Sequence, residues 1–550
     1  MAAMKKHFSA LMFGIVILFA ARSGAQTRES ITVEVVDVPV YVFSHGKPVR
    51  NLTKDDFELF VNGKRQTIDY FDPIEFAPVA APSTQAEKTV VTPPPTDPRE
   101  RRLFLLLFDL SHRFSRPAVL ALARKSAITM VDRALPQDFY AVATYGTMGV
   151  KFVTPFTRDH DVSRRAVLEL SPSSAHDALA ISITDAERQS AEAWSSAAAS
   201  GATGGRASNE DPMPEILAGF SADEQQRAKN EAKDQIDDYS KIAKRMASLE
   251  GYKHVILFSQ GISPALVTGA TPELGLPQVP DLDPRQYRAL DSMARSFQAA
   301  GVLFHTVDMG VADPIDLKMT AAPVYMSAPG VMTNNSVRPA SVQRFDVLSN
   351  ETLYTYAART GGQFLHWTND IPALLADLSS TVSAGYRLGF KPVDPRKGMN
   401  DIDVRVNNVP MGTTVSFRKG FSSTSEPPNT DDTLLLADII QNDIPQSGTP
   451  PAFSFRTRPF IEVVVPARQL AKELGVIKRA GVFLYIFDDK GAAVAEWGKD
   501  VPISPQPRGD AVIRQKLTMP PGNYVAKALL RVGKSIGFAK IAFTIPDAKK

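Results

Sequence analysis

The stretch Leu103 to Phe108 reads LFLLLF and carries no polar side chain. Successive side chains of a strand point to opposite faces, so an unbroken apolar run has to be covered on both sides. That places it in the middle of a parallel sheet with helices above and below, because a strand with one face in solvent would alternate. Phe139 to Tyr145, His254 to Phe258 and Val302 to Val307 are further buried-strand candidates. Between them, helices are expected over Arg116 to Leu135 and over Ser221 to Glu250. The second opens on a capping box, Ser221 with Glu224, and stops at Gly251. Its apolar positions Ile236, Tyr239, Ile242, Met246 and Leu249 step by three or four, so one stripe faces a sheet. A helix over Leu353 to Thr360 stopped by Gly361-Gly362, a strand over Gln363 to Trp367 and a helix over Ile371 to Ala384 continue the alternation. The pattern predicts an α/β domain over residues 101–384 with a doubly wound, mostly parallel sheet and insertions near 190–220 and 312–346.

Both flanks change to a period of two. A small N-terminal β unit is expected over 29–76, where ITVEVVDVPVYV alternates and Asn62-Gly63 marks a hairpin. Prolines at 78, 82, 93, 94, 95 and 98 make 77–100 a linker. After the α/β domain comes a β extension over 385–421, with strands at Tyr386 to Phe390, Ile402 to Val406 and Thr413 to Phe417. A second linker is expected over 422–452, interrupted by an apolar stretch, Leu434 to Ile440, able to dock on a neighbour. The remainder, 453–546, reads as a C-terminal β-sandwich whose Gly533-Lys534-Ser535 is a hairpin turn rather than a phosphate loop. The N-terminal unit and the extension are each too small to cover their own apolar face, so the two are expected to share one sandwich.

Composition narrows the chemistry. Cysteine is absent from all 550 residues, which excludes disulfides, thiol nucleophiles, zinc-thiolate sites and iron–sulfur clusters. None of the eight histidines has zincin spacing. Lys plus Arg (62) against Asp plus Glu (59) leaves +3, too little to argue for a nucleic-acid partner. Residues 1–25 read as a signal peptide: Lys5 and Lys6 precede the apolar run Phe8 to Ala21, and Ser23-Gly24-Ala25 offers a cleavage site. The run falls short of the roughly 20 residues that span a bilayer, so no integral membrane span is expected after cleavage. Removing Lys5, Lys6 and Arg22 with no acid takes the net charge from +3 to 0. The expected location is the periplasm or the cell exterior.

Open parallel sheets bind ligands at the carboxyl ends of their strands. Two segments stand there: Asp109-Leu110-Ser111-His112-Arg113 after the first buried strand and Ser259-Gln260-Gly261 after the third. With the lead-in VPVYVFSHGKPVRNLTKDDFELFVNGKRQTI, the strands LFLLLFDLSHR and KHVILFSQG, AARTGGQFLHWTND, YRLGFKP and FRKGF, the chain from Ile31 to Phe421 resembles the von Willebrand factor type A (VWA) domains. It resembles more closely the bacterial VWFA-related proteins common in Acidobacteria. In such domains an Asp-x-Ser-x-Ser loop, a threonine from a second loop and an aspartate after a later strand hold Mg²⁺ in a metal-ion-dependent adhesion site.

The resemblance implies metal ligands at Asp109 and Ser111. It breaks at Arg113, which stands where a second serine would be, and at Gln260, where an Asp-Gly is usual. Ser173, Ser174 and Thr184 are poor matches for the threonine. A guanidinium repels a cation and an amide has lost a negative charge, so the site is expected to be degenerate, with no cofactor beyond weak Mg²⁺. The alternative role for Asp109 is to cap the following turn and pair with Arg113. His112, Arg113, Ser259 and Gln260 are the loop-face binding candidates, no residue is assigned a catalytic role, and His254 and His305 are expected to be structural. The expected function is a non-enzymatic exported protein that binds a protein or cell-envelope polymer through this face. The alternative is a metal-dependent VWA subunit of an enzyme or envelope maturation complex.

Overall fold

A computed structural model describes residues 35–76, 97–111, 117–146, 149–170, 222–261, 288–309, 352–366, 370–423, 432–454, 460–474, 479–503 and 507–546. The expected signal peptide, most of the first linker and both insertions lie outside these residues. In chain order the first strands are β1 (Val36–Ser44), β2 (Lys47–Pro48), β3 (Phe57–Val61), β4 (Lys64–Gln66) and β5 (Tyr70–Glu75). Then come β6 (Arg102–Asp109), β7 (Asp138–Gly146), β8 (Gly149–Thr157), β9 (Tyr252–Ser259), β10 (Val302–Asp308) and β11 (Phe364–Leu365). The extension holds β12 (Ala384–Phe390), β13 (Met399–Val406), β14 (Thr413–Phe417) and β15 (Gly420–Ser422). The C-terminal part holds β16 (Ala452–Ser454), β17 (Phe460–Val465), β18 (Arg479–Phe487), β19 (Ala493–Pro502), β20 (Ala511–Lys516), β21 (Gly522–Val532) and β22 (Ser535–Ile545). The helices are α1 (Pro117–Val131), α2 (His160–Leu168), α3 (Ala222–Ala247), α4 (Arg288–Ala300), α5 (352–360), α6 (Ile371–Thr381), α7 (Thr433–Asn442) and α8 (Ala467–Leu474). No helix among the described residues is long and apolar enough to cross a membrane.

The central sheet has the order β11-β10-β9-β6-β7-β8. Its pairs are parallel except β7 with β8. Every residue of β6 is buried, and the alternation of its side chains explains why the run is apolar throughout. Leu103, Leu105 and Leu107 join a cluster with Ile236, Tyr239 and Met246 of α3 and Met293 and Phe297 of α4. Phe104, Leu106 and Phe108 join the opposite cluster with Ala123, Ala127 and Met130 of α1 and Leu375 and Leu378 of α6.

At the amino end of β6 two arginines are buried rather than solvated. Arg102 holds Asp138 through two bonds of 2.7 Å. It also donates to the Ser379 and Val382 carbonyls, which secures the carboxyl end of α6. A buried guanidinium needs its donors used, and four bonds take up four of the five N–H groups here.

The N-terminal strands and the extension pair directly. β1 is antiparallel to β12, with Val38 opposite Leu388, and β3 is antiparallel to β13, with Leu59 opposite Val404. The resulting sheets, β14-β1-β12-β5 and β15-β13-β3-β4, contribute Val38, Val40, Leu59, Tyr386, Leu388 and Val404 to one core. The Gly361-Gly362 step joins this pair of sheets to the α/β sheet. A Cβ at Gly361 would overlap the Phe417 carbonyl, and one at Gly362 the Phe304 carbonyl. Gly361 also has φ +87°, a conformation that glycine adopts without a Cβ penalty.

The segment 422–452, expected as a linker, carries the docked helix α7. Leu434, Ala437, Ile439 and Ile440 are buried in the α3-side cluster together with Phe487, Leu529 and Ile536 from the C-terminal strands. Asp438 of α7 receives both terminal nitrogens of Arg101. Lys527 of β21 donates to the Ile440 carbonyl at 2.8 Å. An amphipathic segment too short to fold alone is thus stabilised by the surfaces it joins. The C-terminal strands form two sheets, β16-β17-β20 and β19-β18-β21-β22, around a core that includes Ile461, Val463, Val482, Leu484 and Ala526. β21 and β22 form the hairpin expected at Gly533.

Candidate functional site

Three parallel strands end side by side at the carboxyl edge of the central sheet. Phe108 of β6 is opposite Phe258 of β9 with their rings stacked at 4.6 Å, so Asp109 and Ser259, the next residues, are neighbours. Across the sheet Asp109 is level with Tyr145 and Ser259 with Asp308.

Asp109 is buried, and protein groups occupy its carboxylate. Oδ2 accepts from the Ser259 hydroxyl at 2.6 Å and from the Gln235 amide at 2.9 Å. Oδ1 accepts from the Ser111 backbone N–H at 3.1 Å, the turn-capping bond. The Ser259 hydroxyl is itself held by the Gly261 N–H at 2.9 Å. Backbone bonds fix both turns: Leu110 N–H donates to Tyr145, and Met309 N–H to Ser259.

The surroundings are aromatic. Gln235 Nε2 lies 2.9 Å from the Tyr239 hydroxyl, one turn along α3. Tyr239 meets Tyr145 at 5.7 Å, Phe304 at 5.9 Å and Tyr356 at 6.4 Å between ring centroids. Burial, and then the charge of Asp109, push the Tyr239 and Tyr356 hydroxyls above the usual tyrosine range. Both phenols therefore stay protonated at neutral pH, and the buried Tyr356 hydroxyl has no hydrogen-bond partner among the described residues.

Of the residues singled out from the sequence, Asp109 and Ser259 are brought into direct contact, while Ser111 and Gln260 stand part-exposed beside them. His112, Arg113, Ser173, Ser174 and Thr184 lie outside the described residues. Gln235 went unnoticed in the sequence. Its signal is its spacing, since it stands four residues before Tyr239 and so shares the buried stripe of α3.

Mg²⁺ is hard and takes oxygen lone pairs in an octahedron. In the arrangement described, Asp109 accepts N–H and O–H donors, Ser259 Oγ is used in two bonds, and Gln235 turns its NH₂ toward the carboxylate. This donor set does not fit the ion. Among the described residues, no group of three or more His, Asp and Glu is placed to hold a metal.

The buried histidines lie in the opposite half of the sheet. Gln363 N–H donates to His305 Nδ1 at 3.0 Å, which leaves His305 Nε2 to donate to His254 Nδ1 at 3.1 Å. Burial pulls His305 down to about 3, and burial together with its neighbour His305 holds His254 well below the ordinary range. Both are core residues, neutral and hydrogen-bonded.

No protein-family model and no curated protein matches the chain. Solved structures similar to it include an aerotolerance-related membrane protein from Bacteroides fragilis, at 11% identity, covering 51% of this chain and 98% of that one, with a TM-score of 0.24. The SpRpn10 VWA domain is similar at 9% identity, covering 51% of this chain and 96% of that one, with a TM-score of 0.18. The ArnB paralog VWA2 from Sulfolobus acidocaldarius is similar at 10% identity, covering 94% and 76%, with a TM-score of 0.22.

Proposed function

We propose that the chain is an exported VWA-type protein that binds another protein or a cell-envelope polymer through the loops at the carboxyl ends of β6, β9 and β10, around a degenerate adhesion site at Asp109 and Ser111. One observation carries this reading. Asp109 and Ser259, 150 residues apart, are locked together by a 2.6 Å hydrogen bond at the edge where open α/β sheets hold their ligands. The sheet beneath and the hydrogen-bonded turns Asp109–Ser111 and Ser259–Gly261 hold these strand ends in place, and binding then spends little on ordering them. Ser111 and Gln260 are part-exposed there, and His112 and Arg113 are the further binding candidates read from the sequence.

The role is non-enzymatic. The Ser259 hydroxyl donates a hydrogen bond to Asp109 and accepts one from the Gly261 N–H, and in this reading it serves as a strut between the two turns. The leader-like residues 1–25 support export. The test is retention of the purified protein on the native cell-envelope fraction, comparing the wild type with the loop double variant Arg113→Glu/Gln260→Arg. At least a tenfold loss in the variant is expected. Equal retention of both would move the interaction to another surface.

A further inference from the structure

We propose that the Gln235 amide occupies the place of a divalent cation at Asp109, so that the strand-end carboxylate is compensated from α3 without metal and one side chain decides whether the site takes an ion. The proposal deepens the loop-face reading and rests on it. A buried carboxylate must be compensated by a cation or by hydrogen-bond donors. At Asp109 the donors come from three separate elements: the Ser111 N–H, the Ser259 hydroxyl and Gln235 on α3. Gln235 alone reaches in from a different layer of the fold, and it bridges, with Nε2 2.9 Å from Asp109 Oδ2 and 2.9 Å from the Tyr239 hydroxyl. Compensating a buried strand-end carboxylate from the layer packed on the sheet is the service a bound cation performs.

The chemistry of the swap is specific. An amide nitrogen presents partial positive charge and no lone pair, so it satisfies a carboxylate and repels a metal. Glutamate has nearly the same shape and reverses both properties. With Gln235→Glu, two carboxylates face each other in a buried site, and the pair is stable only with a proton or a cation between them. Tyr239 and Tyr356, near enough to feel the charge of Asp109, supply a spectroscopic antenna.

The experiment uses the full chain and Tb³⁺ as the probe, with tyrosine-sensitised luminescence measured at free ion up to about 1 mM, the weak end of oxygen-ligand sites. The wild type is expected to match an Asp109→Asn control, and Gln235→Glu to exceed it at least tenfold, with the gain abolished in Gln235→Glu/Asp109→Asn. MgCl₂ is expected to raise the Tm of Gln235→Glu by about 5 °C and leave the wild type unmoved. Should Gln235→Glu fold only when Mg²⁺ is present, that dependence supports the proposal. Gln235→Ser, which opens space and keeps an oxygen, serves as the second variant and is expected to gain luminescence too. Two results would overturn the idea: wild-type luminescence that Asp109→Asn removes, or folded Gln235→Glu and Gln235→Ser that both stay dark. Neither touches wild-type retention on the envelope fraction, so a failure here is distinguishable from a failure of the loop-face reading.

Discussion

Asp438→Asn tests how the C-terminal strands are attached. The carboxylate receives Arg101 Nη1 at 2.9 Å, Arg101 Nη2, and Asn442 Nδ2 at 2.8 Å, and both partners of the ion pair are almost fully excluded from water, at 2% and 1% exposure. The substitution keeps the shape but removes the charge and turns an NH₂ toward the guanidinium. Arg101 keeps one neutral acceptor on residue 438, the Glu250 carbonyl at 3.3 Å and the Phe139 ring at 5.1 Å, but no anion, too little to compensate a buried cation. Breaking a buried pair from one side costs about 3–5 kcal/mol, whereas replacing both partners by apolar groups of similar volume is often neutral. Urea unfolding followed by circular dichroism should therefore show Asp438→Asn destabilised by about 3–5 kcal/mol and Arg101→Met/Asp438→Leu within about 1 kcal/mol of the wild type. A loss below about 1 kcal/mol for Asp438→Asn would be that of a surface pair, and would mean that α7 is not seated against the amino end of β6.

Two further outcomes are expected. Gly361→Ala meets both a left-handed φ and the Phe417 carbonyl, so a loss of about 3 kcal/mol or more in urea unfolding is expected, and an unchanged midpoint would remove the joint between β14 and the α/β sheet. The buried histidines make stability depend on pH. Their folded pKa values are depressed, so above about 6.5 both states are neutral and nothing is lost; as pH falls below that value the unfolded chain takes up protons that the fold refuses. The loss approaches about 1.4 kcal/mol per pH unit per histidine and continues down to about 3 for His305. Urea midpoints at pH 7.5, 6 and 5 check this, and a flat profile would show that the pair is solvated.

Much of the central architecture was legible because burial on both faces leaves a mark that needs no tertiary knowledge. Leu103 to Phe108 could only be a covered strand, and Ile236, Tyr239 and Met246 could only line a helix stripe. β8 left no such mark: it is the antiparallel edge strand, its inner residues alternate between buried and part-exposed, and its cover comes from α7. The partners of Arg101 and Arg102, Asp438 and Asp138, lie 337 and 36 residues away, and no local spacing announces such pairs. Asp109 was visible from its place after a buried strand. Gln235, 126 residues further on, was not, since its meeting with Asp109 depends on how α3 crosses the sheet. What the sequence did hold was a polar residue on an otherwise apolar stripe.

Retention of the wild-type protein on native cell envelopes, measured in parallel with Mg²⁺ and with EDTA, tests most directly whether the loop face works without metal. Equal retention in the two buffers is expected, because Asp109 is held by Ser259, Gln235 and the Ser111 N–H rather than by an ion. Retention that collapses on chelation and returns with Mg²⁺ would contradict it.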